Sequence, residues 1–358
     1  MKVGIVEYHY HEEYLNTLIQ LFPDSDVYTT KQCYDNLPEE AKDKANFIFK
    51  HSKQRTKDFI QSIDTNYFDY LFVNTIQPSM IDLPNWKDFK PKCKTILTIH
   101  NLNAWISRNK FIPRKNILHS FDSYFSGNYT GRILGKFELV SFVYKPIFDY
   151  VSNTPKVRTY LPPTLLNIPY SLTLDTIKED KKDTIDFVIP GIVDNKRRNY
   201  EQILSGFYPG YEKARLILLG KNKENIKGSE WIKTFDERIP TETYDKYLQN
   251  SDVVICPSLP TTHTISAAEE IYGTTKSPNI FESIKWRKPL MIPSYIALDP
   301  QLKSSTLQYN SSQSFYQQVL QLLENPDLLA DLKKQAFNNT KHFTLPVVKK
   351  QLERLLSM

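Results

Sequence analysis

The chain has 358 residues, 40% of them hydrophobic and 24% charged, with a formal net charge of +6. That apolar content supports two domains with separate cores and excludes an intrinsically disordered chain, and no apolar run approaches the roughly eighteen residues of a membrane span. The positive balance favours phosphate-bearing partners or an anionic membrane surface, while the lack of a helix-turn-helix, a zinc-ligand spacing or an aromatic ribonucleoprotein motif argues against nucleic acid as a partner.

Residues 2–7 read directly as an apolar strand rather than a signal peptide, so a cytoplasmic protein, at most peripheral at the inner membrane face, is expected. A helix from His11 to Phe22 places Tyr14, Leu15, Leu18, Ile19 and Phe22 on one face, and residues 26–29 make a second strand. This opens a parallel α/β unit, whose ligands bind beyond the carboxyl ends of the strands, here at Glu7-Tyr8-His9-Tyr10-His11-Glu12. His9 and His11 are acceptor-side candidates, as a general base or as plain surface residues around a helix start. The polar stretch 38–64 predicts one long helix and residues 68–74 a buried strand. The strand 94–99 ends in His100-Asn101, and a histidine that directly follows a continuous apolar strand stands where sites form. Residues 104–115 mix aromatic and aliphatic side chains with four cations and no acid, which suits a solvated loop or weak association with an anionic membrane.

Residues 156–169 read as a strand and proline turn closing a first domain (1–170), and 171–183 as a charged linker. The second domain (184–344) opens with a strand followed by Lys196, Arg197 and Arg198, placed before a helix that runs to Phe207, where side chains and helix dipole both favour an anion. Residues 214–221 make a strand into a glycine turn. Residues 273–289 are a polar loop that becomes a helix start: Pro278 fits the first turn, Ser277 can cap it, and Ile280, Phe281 and Ile284 keep helical spacing. With Lys276 beside the unpaired N–H groups, this is a place for a phosphate or diphosphate, and Glu282 could accept from a sugar hydroxyl; an ordinary capped helix fits the same residues. Helices follow at 313–324 and 327–337, broken at Asn325-Pro326, and a last one at 345–356. The 10 glycines cannot build a glycine-rich phosphate loop, and Cys33, Cys93 and Cys256 lie too far apart for a metal-ligand spacing, so reduced packing thiols are expected.

The stretch around Phe281-Glu282 and Arg287-Lys288-Pro289-Leu290-Met291-Ile292 resembles the carboxyl-terminal domain of retaining GT-B glycosyltransferases of the large family-four group, where Phe-Glu, a short helix, Gly-Lys-Pro and a strand follow one another. The run Ile239-Pro240 through Tyr247, Asp252, Val253-Val254-Ile255 and Pro257-Ser258 is similar to the same domain. The resemblance implies an α/β GT-B chain, two Rossmann-like doubly wound parallel-sheet domains facing across a cleft, with the 345–358 helix returning to the first domain. It implies His100 and Glu282 as catalytic residues, and the donor diphosphate held by Lys196, Arg197, Arg198, Lys276 and Asn279. The nucleotide would lie at Ile239 and Glu282, and the acceptor near His9, His11 and Asn101. Two departures stand out: Thr274 occupies the place of a first glutamate, with Glu269 and Glu270 just upstream, and Ile192 the place of an arginine. No Asp-x-Asp triplet stands out, so neither metal nor cofactor is expected. The implied activity is transfer of a sugar from a UDP- or GDP-type donor to a glycan or lipid-linked acceptor. A nucleotide-sugar epimerase, a non-catalytic partner subunit and a two-lobed binding protein remain as alternatives.

Overall fold

The computed structural model describes residues 1–106, 129–172, 183–207, 213–263, 269–271 and 278–356. The chain forms two compact units, one of Met1–Ser171 with His263–Thr275 and Leu345–Met358, the other of Leu172–Thr262 with Lys276–Thr344.

The first unit is built on β1 (Val3–Glu7), β2 (Ser25–Thr29), β3 (Ala45–Phe49), β4 (Tyr70–Val73), β5 (Lys94–Ile99), β6 (Leu139–Phe142) and β7 (Thr164–Asn167). Their order is β3-β2-β1-β4-β5-β6-β7, and every pairing is parallel. A parallel sheet must be covered on both faces, which is why β1 and β4 are apolar runs buried along their whole length. The helix Glu12–Leu21 supplies part of that cover through Tyr14, Leu15, Leu18 and Ile19, the face its spacing predicts. Strand order reverses between β1 and β4, and the carboxyl edge at such a reversal is where sheets of this kind bind ligands.

The long helix expected over 38–64 does not form. Helix Glu39–Lys42, strand β3 and helix Thr56–Gln61 divide that stretch. β3 pairs with β2 residue by residue from Ser25↔Ala45 to Thr29↔Phe49, and Lys50 N extends the ladder to Thr29 O at 2.8 Å. Phe47 and Phe49, two apart and so on one face, both close on the Tyr34 ring, at 4.9 and 5.3 Å. A neighbouring strand and an aromatic partner, neither local in sequence, override the helical propensity of the flanking polar residues. Around 156–169 the order is helix Pro155–Arg158, the Pro162-Pro163 turn and then β7. Between residue 129, where the described chain resumes, and that turn lie β6 and the helix Lys145–Asn153, which the sequence reading passed over.

The second unit repeats the plan with β8 (Ile185–Pro190), β9 (Ala214–Lys221), β10 (Ile232–Phe235), β11 (Val253–Ile255), β14 (Leu290–Pro293) and β15 (Thr306–Tyr309), all parallel in the order β10-β9-β8-β11-β14-β15. β12 (Thr261–His263) and β13 (Glu269–Ile271) lie outside both large sheets. Phe187, Ile189, Leu216, Leu218, Phe315 and Val319 are among the side chains of its core. Helix Pro278–Trp286 buries Ile280 and Ile284 and ends at Arg287, whose φ of +56° is the left-handed turn that glycine most often supplies at a helix end. Helix Ser312–Glu324 starts on a capping box at Ser311, and helix Pro326–Thr340 on the Asn325 side chain, which accepts from Leu328 N at 3.1 Å. The last helix, Leu345–Leu356, belongs to the first unit, where it packs on Glu12–Leu21 and its Leu356 carbonyl accepts from Tyr70 Oη at 2.9 Å.

All three cysteines are buried free thiols, and among the described residues no helix is long and apolar enough to cross a membrane.

Candidate functional site

The residues singled out in the first unit gather at the carboxyl edge where its strand order reverses. Glu7, the last residue of β1, is fully buried. Its Oε1 accepts from His9 N at 2.7 Å, and its Oε2 from Asn74 Nδ2 at 2.6 Å and Thr75 Oγ1 at 2.5 Å, so one carboxylate ties the loop after β1 to the loop after β4. Burial pushes its carboxyl up to about 7 in spite of these donors. His100, which directly follows β5, lies with its ring parallel to that of His11, centroids 3.7 Å apart, and its Nε2 is 3.1 Å from Asn74 O. Nε2 therefore carries the hydrogen, since a carbonyl can only accept, and Nδ1 keeps a lone pair. Burial drives His100 down to about 4, against that hydrogen bond, which raises it. Burial, and then the charges of His100 and His9, hold His11 well below the ordinary histidine range. Both stacked rings are thus neutral at physiological pH and act as hydrogen-bonding surfaces rather than cations.

His9 has a different setting. Its Nε2 lies 2.9 Å from Asp82 Oδ2, on a side chain only 4% exposed. Asp82 also accepts from Tyr8 Oη and Gln77 N, each at 2.8 Å, and Trp86 Nε1 donates to Tyr8 Oη at 2.8 Å. A buried carboxylate with three donors turns the imidazole so that Nδ1 offers its lone pair. Asn101 has a structural role, its Oδ1 accepting from Ala104 N at 3.3 Å at the start of the helix Leu102–Ile106.

In the second unit the three adjacent cations separate. Lys196 and Arg197 are exposed, whereas Arg198 turns inward. Arg198 Nη1 donates to Gly191 O at 3.2 Å and Tyr200 Oη at 3.0 Å, and Nη2 donates to Asn279 Oδ1 at 3.1 Å. Asn279, 1% exposed, also donates from Nδ2 to Ile255 O at 2.9 Å. One guanidinium thus joins the loop after β8, the end of β11 and the first turn of helix Pro278–Trp286, again where strand order reverses. Glycine is required here twice. Gly191 has φ +94° and a Cβ on it would come within 2.7 Å of Arg198 Nη2, while a Cβ on Gly220 would meet Gly191 O at 2.3 Å. Helix Tyr200–Gly206 is capped by its own Asn199, whose Oδ1 accepts from Gln202 N at 3.1 Å. Glu282 Oε1 accepts from Tyr244 Oη at 3.2 Å, and Ile239 is half-buried just before the helix Thr241–Asn250. Lys276, Ser277, Thr274 and residues 107–115 of the basic segment lie outside the described residues.

The structure therefore joins His11 to His100, His9 to the same edge through Glu7, and Arg198 to Asn279; it does not join Lys196 or Arg197 to that inward cluster. The sequence carries one Asp-x-Asp triplet after all, Asp24-Ser25-Asp26, but it opens β2 at the amino edge of the sheet, away from these residues. Asp82, Asn74 and Thr75 are functional candidates that the sequence reading missed. Asn74-Thr75, polar residues at the end of an apolar strand, carry the same signal that marked His100; Asp82 sits among Pro, Met and Leu in a loop and has no local signal.

No family model matches the sequence, and comparison with curated proteins finds no match. Solved structures do match over the whole chain. A glycosyltransferase from Rickettsia africae superposes with a TM-score of 0.63 at 13% identity, covering 99% of this chain and 98% of that one. Anabaena HepE in complex with UDP-glucose gives 0.65 at 12%, covering 100% and 99%. Sucrose-phosphate synthase from Thermosynechococcus elongatus gives 0.61 at 11%, covering 100% and 98%. The fold is GT-B. In this GT-B chain both clusters, around Glu7 in one unit and Arg198 in the other, stand at the switch point of a doubly wound sheet.

Proposed function

We propose that the chain is a glycosyltransferase that moves a sugar from a nucleotide-diphosphate donor to a hydroxyl of a glycan or lipid-linked acceptor, independently of metal and with retention of anomeric configuration. The observation that carries this reading is Arg198, held by three acceptors at the switch point of the second unit, where its position is set before any ligand arrives. As the bond between the anomeric carbon and the diphosphate oxygen breaks, negative charge grows on the leaving group. Arg198, Lys196, Arg197 and Lys276 are assigned to balance it, each charge-assisted contact being worth about 1.5–3 kcal/mol. Asn279 fixes the guanidinium, and Ile239 and Glu282 take the nucleotide. On the acceptor side, His9 and His100 offer Nδ1 lone pairs to acceptor hydroxyls beside the reacting one and so orient it, with His11 and Asn101 shaping the same edge. A new bond forms from the acceptor oxygen to the anomeric carbon, and the acceptor proton passes to the departing diphosphate. The neighbour HepE, of the same fold, was crystallised with UDP and with UDP-glucose, which supports a UDP-type donor.

A thermal-shift panel of UDP, GDP and their sugars tests this reading. A true donor at 100 times its dissociation constant adds about 2.7 kcal/mol of stability. NMR of the product then reads the anomer: a retained one is expected, and an inverted one would make His9 the general base. Absence of any nucleotide shift, together with tight capture of a second glycosyltransferase chain, would favour the non-catalytic partner instead.

A further inference from the structure

Three loops leave the carboxyl edge of the first unit's sheet beside His9, and each exposes large apolar side chains at or next to it. Directly after His9, Tyr10 is 58% exposed; directly before Asp82, Ile81 is 87% exposed, the highest value among the large hydrophobic side chains described. Because His9 and Asp82 are bonded to each other, these two apolar side chains flank one spot. The third loop follows β3, whose Ile48 and Phe49 are 38% and 37% exposed, and it contains Lys50, His51, Lys53, Arg55 and Lys57 without an acid between Lys44 and Asp58. Arg55 is paired with Asp58 and Lys57 with Asp88, whereas Lys50 and Lys53 form no ion pair among the described residues. The loops are contiguous: helix Thr56–Gln61, which begins as the basic run ends, packs on the turn Leu83–Trp86 that follows Ile81 and Asp82, and Cys33 Sγ donates to His9 O beside the Tyr34–Phe49 pair.

Exposed apolar side chains on loops contiguous with one that carries Lys50 and Lys53 match a surface that is apolar beneath and anionic at its head groups. We propose that this edge seats an anionic lipid surface carrying the acceptor, with Tyr10, Ile81 and Phe49 entering the head-group boundary and Lys50 and Lys53 meeting its phosphates. The word acceptor rests on the glycosyltransferase reading; the lipid contact does not. The surface is separate from the basic segment at 104–115.

Vesicle flotation of the full chain tests it, with phosphatidylcholine alone and with about 30% phosphatidylglycerol, at ~50 and ~300 mM salt. Flotation is expected only with the anionic vesicles, and is weaker at high salt. Lys50→Glu with Lys53→Glu should cut partitioning at least ~25-fold, about fivefold per lysine. Ile81→Ser should cut it about tenfold at both salt concentrations, because that share is apolar. Equal flotation with pure phosphatidylcholine, or a lysine double variant that floats like the parent, would overturn the proposal. Thermal shift with UDP-sugar on the same proteins separates the two ideas: lost flotation with intact donor binding is the expected variant behaviour, while a parent chain that floats but binds no nucleotide sinks the enzymatic reading alone.

Discussion

Glu7 offers the sharpest test of how the first unit's carboxyl edge is held together. Three donors converge on its carboxylate, which would hold it ionised in water, yet burial outweighs them and the carboxyl rises from 4.5 to about 7. Between those values the folded chain binds a proton that the unfolded chain has released. The contribution of this group to stability is therefore fully present below about pH 4.5 and lost as pH climbs through 7, a change of about 3 kcal/mol. Glu7→Gln removes the titration. The glutamine keeps one acceptor oxygen but aims an amide at donors already in place, so it should carry a pH-independent penalty of about 1–3 kcal/mol. Urea unfolding followed by fluorescence of Trp86, which is buried in this edge, should give two curves of stability against pH. The parent curve falls by about 3 kcal/mol relative to the variant between pH 4.5 and 8. Parallel curves across that range would show that the carboxylate is ionised throughout and that the network, not the burial, governs it.

Two further outcomes bear on the assigned roles. Asp82→Asn should leave the UDP-sugar thermal shift unchanged while acceptor-dependent turnover falls about 100-fold, because His9 loses the carboxylate that sets its tautomer; NMR of the ring nitrogens should show that tautomer mixed, and a turnover loss without it would point to simple misfolding of the loop. Lys196→Ala with Arg197→Ala should lower donor affinity with folding stability within about 0.5 kcal/mol, as for other surface positions, whereas Arg198→Ala should lower both, since Asn279 and Gly191 lose a donor. Donor affinity unchanged in both variants would move the diphosphate away from this loop.

Much of the architecture was legible in the chain. Continuous apolar strands such as Val3–Glu7 and Leu290–Pro293, alternating with one-faced helices such as Glu12–Leu21, can only be satisfied by parallel sheets covered on both sides, and a parallel sheet puts its ligands after its strands. That is why Glu7 to His11, His100 and Lys196 to Arg198 could be named from sequence. The tertiary structure alone decided which of them act together. β3 became a strand because β2 and Tyr34 were there to receive it. Of three adjacent cations only Arg198 turned inward, because Gly191, with no side chain, left room over its backbone and Asn279 supplied an acceptor from 81 residues away. Asp82 reached His9 from 73 positions along the chain. Local pattern specifies which atoms face a sheet or its edge; pairing between distant residues depends on how strands are ordered, and that order is set by burial summed over the whole unit.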